Sequence, residues 1–101
     1  MNEQDNKLIL SSIRALQGEI TSSLRSVSVE LREKTIVWQC LFDSDATEDD
    51  FELMSEACTE VRADYDWDYS LEEIIKYVPA PEKMKYLKNL IYLRHEQNYY
   101  K

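Results

Sequence analysis

The sequence predicts an α+β domain in the order α-β-β-α-β-β, a four-stranded, mostly antiparallel sheet with both helices on one face. Three observations predict it. Apolar residues recur at helical spacing in two stretches, near 5–17 and 51–65. They alternate at period two in four others: 23–31, 35–42, 67–77 and 85–95. The chain holds one Gly and two Pro in 101 residues, so tight turns are few and regular elements are long. One sheet with two helices on a face buries every apolar stripe this pattern produces. A chain of this length forms one domain, residues 1–101, with about 97–101 as a tail.

Helix 1 is expected at about 5–17. Ile9, Ile13, Leu16 and Ile20 carry its stripe, widened by Leu8 and Leu10. Asp5 or Asn6 can cap its start, and Gly18 suits the left-handed position just past its end. The first strand turns Val27, Val29 and Leu31 one way and Ser26, Ser28 and Glu30 the other. Arg32-Glu33-Lys34 is a short charged turn into the second strand, whose inner face is Ile36, Trp38, Cys40 and Phe42; the two form a hairpin. Helix 2 opens on Thr47 with Asp50 three residues on, a capping-box spacing, and buries Phe51, Met54, Cys58, Val61 and Tyr65. The third strand, 67–77, carries Trp67, Tyr69, Leu71, Ile75 and Tyr77, with Glu73 out of pattern and a bulge expected near Glu72-Glu73-Ile74. Pro79-Ala80-Pro81 marks a turn, read here as a hairpin into the fourth strand, 85–95, with Tyr99-Tyr100 of the tail folding back on the domain. The sheet face away from the helices is expected to be exposed, carrying Ser26, Ser28, Gln39 and Lys88 or their neighbours.

Charge is distributed unevenly. Residues 1–42 hold five acids and five bases, 43–73 hold thirteen acids and one base, and 74–101 hold two acids and six bases, within a net charge of -8. The acids Glu52, Glu56, Glu60 and Asp64 repeat at i,i+4, where each like-charged pair costs a helix about 0.2–0.5 kcal/mol. A sequence selected for local helix stability would place a Lys there. With Glu48 and Asp49, and with Tyr65 and Trp67 at the rim, these residues form a candidate partner-binding surface, and its partner is expected to be basic.

Other chemistries find little support. Asp43-x-Asp45-x-Thr47 resembles the start of a calcium loop, but Glu48 stands where the turn needs Gly and Met54 where a bidentate Glu is needed. Cys40 and Cys58 lack metal-ligand spacing and are expected to be buried, reduced thiols. His95 is the sole histidine, and there is no phosphate loop or nucleophile motif. No enzyme, metal or cofactor is expected. Lys83, Lys85, Lys88 and Arg94 interleave with Tyr86 and Tyr92 as a weak match to a base-stacking platform, but the acidic segment would repel phosphate. No apolar run reaches the ~18 residues of a membrane span. The polar start, MNEQDNK, lacks a signal-peptide pattern, so a cytoplasmic location is expected.

Three pieces carry a resemblance: SLRSVSVE (23–30), FDSDATEDDFELMSEACTEVRADY (42–65) and YLRHE (92–96). Together they resemble small bacterial immunity proteins of contact-dependent growth inhibition and related polymorphic toxin systems, which share a Leu-Arg-x-Val-x-Val strand, an aromatic-Asp lead into an acidic helix and a closing Tyr-Leu-Arg. The match spans most of residues 8–96. The resemblance implies a protein that binds and neutralises a cognate toxin domain, often a nuclease, in the producing cell. The other readings are an acidic nucleic-acid mimic or generic adaptor, and a small RNA-binding domain using the basic C-terminal strand.

Overall fold

A computed structural model describes residues 3–96. Its elements are α1 (Glu3–Ala15), β1 (Leu24–Arg32), β2 (Thr35–Phe42), α2 (Glu48–Ala63), β3 (Ser70–Tyr77) and β4 (Asn89–Leu93), the expected α-β-β-α-β-β order. They form one four-stranded sheet in the spatial order β3-β2-β1-β4. β1 pairs antiparallel with β2 and with β4, while β2 and β3 run parallel. The parallel pair follows from α2, which returns the chain to the starting end of β2, as a helical crossover does. Both helices lie on one face. There Val27, Val29, Ile36, Trp38, Cys40 and Phe42 pack against Leu8, Ala15 and Leu16 from the α1 side and Met54, Ala57, Cys58 and Val61 of α2. The period-two reading of β1 and β2 and the helical reading of α2 therefore identified core residues correctly.

The expected hairpin between the last two strands does not form. β3 and β4 occupy opposite edges of the sheet. The chain between them, 78–88, must cross the sheet, and with the helices on one face it crosses the other. Ser26, Ser28 and Gln39, expected to face solvent, are buried beneath it. Gln39 Nε2 donates to the Lys85 carbonyl at 2.8 Å, and Ser28 Oγ accepts from the Leu87 backbone N–H at 3.0 Å. Arg25 Nη1 donates to the carbonyls of Val78 (2.6 Å) and Glu82 (3.0 Å). The polar alternation that suggested a wet face instead lets Ser28 and Gln39, buried under a half-exposed irregular segment, hydrogen-bond to its inward backbone groups. Lys88 stays exposed, as expected. β4 is shorter than the expected 85–95 and is an edge, because 85–88 belongs to the crossover. β3 begins at Ser70 rather than Trp67 and pairs without interruption from Thr35↔Ser70 to Phe42↔Tyr77, so the bulge near Glu72-Glu73-Ile74 is absent. The register shifts lie elsewhere: at Arg25 of β1, between Leu24 and Ser26 against β2, and at Ile91 of β4, opposite the step from Val27 to Ser28.

The stripe of α1 also needs correction. Its buried residues are Asp5, Leu8, Ser11, Ser12 and Ala15. Ile13 and Leu10, read as core, are 43% and 61% exposed, and Ile20 is exposed too. The inward face mixes the core residues Leu8 and Ala15 with polar ones, two of which meet polar partners: Asp5 Oδ2 accepts from Lys88 Nζ at 2.8 Å and Ser11 Oγ donates to Asp64 Oδ2 at 2.5 Å. Asp5 lies inside the helix, where the Lys88 ammonium lowers its pKa, and does not cap the start. Gly18 does take the left-handed backbone, with φ 79°. Residues 97–101, including the Tyr99-Tyr100 pair, lie outside the described residues.

Candidate interaction surface

α2 starts as its sequence specifies. The Thr47 backbone N–H donates to Asp50 Oδ2 at 2.8 Å, closing one half of a capping box, and these contacts hold the Asp50 carboxyl below the usual range. Glu48 and Asp49 occupy the first turn, at the positive end of the helix dipole. Turning 100° per residue from the buried line Met54–Cys58–Val61, the exposed Glu48, Asp49, Glu52, Glu56 and Glu60 sweep across the outer half of the helix. Among the described residues, no ion pair or hydrogen bond reaches these five carboxylates. Asp64 differs. It takes the Ser11 hydroxyl at 2.5 Å and stands 3.8 Å from Arg14, so it also ties α2 to α1.

The aromatic rim divides. Phe51 packs edge-on against Phe42 and Tyr77, with ring centroids 5.0 and 5.5 Å away. Tyr65 is half-buried against Tyr69, with Lys7 Nζ 4.2 Å from its ring centre, and burial raises its hydroxyl pKa. Trp67 is 90% exposed. Its loop is held by Arg62, the sole base of the acidic segment, whose guanidinium donates to the carbonyls of Tyr65 (3.2 Å) and Trp67 (3.0 Å). Of the candidate residues, the structure thus brings Glu48, Asp49, Glu52, Glu56, Glu60 and Trp67 to the open surface, and assigns Tyr65 and part of Asp64 to packing. The role of Arg62 was missed from sequence. Its signal was being the one base among thirteen acids, just before the loop it holds. Glu73, noted as out of pattern, faces the helices, where its Oε1 accepts from Ser55 Oγ at 3.0 Å.

The bases are arranged differently. Arg25 and Glu96 form a two-bond ion pair (2.8 and 2.7 Å) with side chains only 2% and 8% exposed. Arg94 joins it, 2.9 Å from Glu96 and 2.8 Å from Asp43, and also donates to the Ser22 carbonyl. Hydrogen bonds from Arg25 hold the Glu96 carboxyl below its usual range, and the Arg94 contact does the same for Asp43. The stacking platform suggested by Lys83, Lys85, Lys88, Arg94, Tyr86 and Tyr92 is not assembled: Lys88 is committed to Asp5, Arg94 to this cluster, and Tyr92 packs on the core. Cys40 and Cys58 are buried and free, with burial raising both thiol pKa values. No helix of the described residues is long and apolar enough to cross a membrane.

A search of curated proteins finds no match to the chain. The family model of the MafI2 immunity protein matches residues 5–96, which include all six elements from the third residue of α1 onward and the whole Arg25–Glu96 cluster. The chain belongs to the MafI2 immunity protein family.

Proposed function

We propose that this immunity protein neutralises its cognate toxin by occlusion, laying the outer face of α2 over a basic, substrate-binding surface of the toxin domain. The single observation that carries the reading is the run of five exposed carboxylates, Glu48, Asp49, Glu52, Glu56 and Glu60, without a counter-charge among the described residues and beside the exposed Trp67. Like charges at i,i+4 cost the helix stability, and nothing within the described fold compensates them. A basic surface on a partner does so, and a nuclease, which must hold phosphate, presents one. The acids speed encounter and orient it, and Trp67 supplies an anchor of the type that dominates interface energetics. The protein acts by binding and not by catalysis, in the cytoplasm of the cell that makes the toxin, within a contact-dependent or related polymorphic toxin system.

The test is the triple variant E52K/E56K/E60K. It is expected to fold normally and to bind the toxin at least tenfold more slowly at low ionic strength, with a flatter dependence of association rate on salt. An unchanged rate and an unchanged salt slope would remove α2 as the docking face. A nucleic-acid mimic would use the same carboxylates. Displacement of DNA from several unrelated basic proteins would favour that reading, whereas protection against one toxin alone favours the immunity reading.

A further inference from the structure

The acidic side of the molecule also presents an open sheet edge. β3 bonds to β2 on one side and to no other strand among the described residues. The Ser70 N–H donates to the Lys34 carbonyl (2.7 Å) and the Val78 N–H to that of Phe42 (2.8 Å), so at period two residues 72, 74 and 76 also direct their backbone groups toward β2. Leu71, Glu73, Ile75 and Tyr77 direct theirs outward. The edge is eight residues long, roughly 26 Å at strand rise, and its pairing is regular throughout. It lacks Pro and bulges, two of the devices that protect sheet edges. The opposite edge, β4, has five residues and a register shift against β1.

What lies over the edge is acidic. The Ser55–Glu73 hydrogen bond (3.0 Å) identifies the flank of α2 that faces it, and at 100° per residue Glu48, Glu52 and Thr59 share that flank. Glu52, Ser55, Glu56 and Thr59 line a shallow depression on the helix surface. Glu72 is exposed on the same strand, and Trp67 stands three residues before its start. A strand laid along β3 would run under carboxylates, so a neutral or acidic strand is disfavoured and a second copy of this chain would set like charges against each other.

We propose that the toxin docks by adding one of its own edge strands to β3, with Lys or Arg at the alternate positions that face α2. Main-chain bonds to Leu71, Glu73, Ile75 and Tyr77 provide the attachment, and the carboxylates of α2 and Glu73 select a basic strand. The inference rests on the occlusion reading but is separable from it. The test is amide hydrogen exchange by NMR on the labelled immunity protein, free and bound to the C-terminal domain of the toxin encoded beside its gene. In the free protein, Glu72, Ile74 and Lys76 should be protected, while Leu71, Glu73, Ile75 and Tyr77 exchange quickly. In the complex, the latter four should gain at least tenfold protection. If they exchange at the free rate in a complex that E52K/E56K/E60K weakens, strand addition is overturned and acidic occlusion stands. If they gain protection while the triple variant binds normally, strand addition stands and the α2 reading falls. Concentration-dependent protection of the same amides in the free protein would show a second copy on the edge and overturn the proposal.

Discussion

The Arg25 cluster and the outer face of α2 use charge in opposite ways. In the cluster, Arg25, Arg94, Asp43 and Glu96 lie within 2.9 Å of an oppositely charged neighbour, and Arg25 and Glu96 are almost fully buried. On α2, five carboxylates stand in water without a partner among the described residues. Arg25 is bonded to carbonyls of the 78–88 crossover and to Glu96 beyond β4, so the cluster fastens three separate chain segments. The α2 carboxylates fasten nothing. The cluster's charges are recognisable as fold-holding by what they bond to; the five α2 carboxylates have no bonded partner among the described residues, which is what supports the proposal that they meet one outside the chain. The contrast also explains what the family resemblance can convey. Its three pieces each contribute to the cluster: Arg25 from the Leu-Arg strand, Asp43 from the aromatic-Asp lead, and Arg94 with Glu96 from the closing Tyr-Leu-Arg-His-Glu. The resemblance therefore rests in part on how the chain is held together, and identifies the family without identifying the toxin.

The largest expected effect breaks the cluster. Arg25→Ala leaves Glu96 buried without its main partner and three acceptors unsatisfied, a change that typically costs about 3–5 kcal/mol. Urea titration should show it as a lowered midpoint, while toxin binding by the fraction that remains folded should be near normal. A stability within 1 kcal/mol of the parent would mean the cluster is not what secures the crossover.

Trp67→Ala should do the reverse. The side chain is 90% exposed, so stability should stay within about 0.5 kcal/mol. Toxin affinity, followed by calorimetry, should fall by about 2 kcal/mol or more, the range of an aromatic hot spot. A full-affinity variant would move the anchor elsewhere.

A smaller effect sharpens the charge argument on α2 alone. Single Glu56→Lys places a base between Glu52 and Glu60, turning two repulsive i,i+4 pairs into attractive ones. Thermal unfolding should show a gain of about 0.5–1 kcal/mol from those pairs. A variant that is both more stable and slower to bind toxin is the signature of a face kept at a cost to the helix. If it is less stable, the carboxylate has a structural role.

The smallest effect is in pH dependence. Glu96 and Asp43 have folded pKa values below their ordinary 4.5 and 3.8. Between folded and unfolded values the unfolded chain binds more protons, so their contribution is present above the ordinary values and is lost as pH falls through the lowered folded ones. Denaturation followed from pH 6 down to pH 2 should show stability falling below about pH 4.5. Glu96→Gln should flatten that fall. Substituting the exposed Glu52 by Gln should not.

Local periodicity was sufficient for α2, β1 and β2, because each sets its helix-facing apolar residues at a clear period and its neighbours in the chain pack beside it. It misplaced α1. Of the expected stripe, Leu8 and Leu16 do pack inward, but Leu10, Ile13 and Ile20 are exposed, and Asp5, Ser12 and Ala15 complete the inward face instead, chosen by where Lys88 and the underlying strands lie. The acidic face was legible, since exposure of charge on an amphipathic helix follows from the apolar line opposite it. The sorting of its rim into a free Trp67 and a packed Tyr65 was not, because it depends on Tyr69 and Lys7, far from α2 in the wheel reading.

By itself the sequence determined the order of elements, the acidic helix with its capped start, the buried thiols and the family. These depend on neighbours within a turn or two, or on motifs that survive without coordinates. Only the tertiary structure decided the strand order, the crossover that covers Ser26, Ser28 and Gln39, and the union of Arg25, Asp43 and the Arg94–Glu96 pair from three places in the chain. Such contacts join residues up to 71 positions apart. No local period encodes which edge a strand takes, because β3 satisfies its backbone equally well beside β4 or beside β2. The choice follows from the α2 crossover, which favours a parallel neighbour, and from β1, which offers its free side to β4.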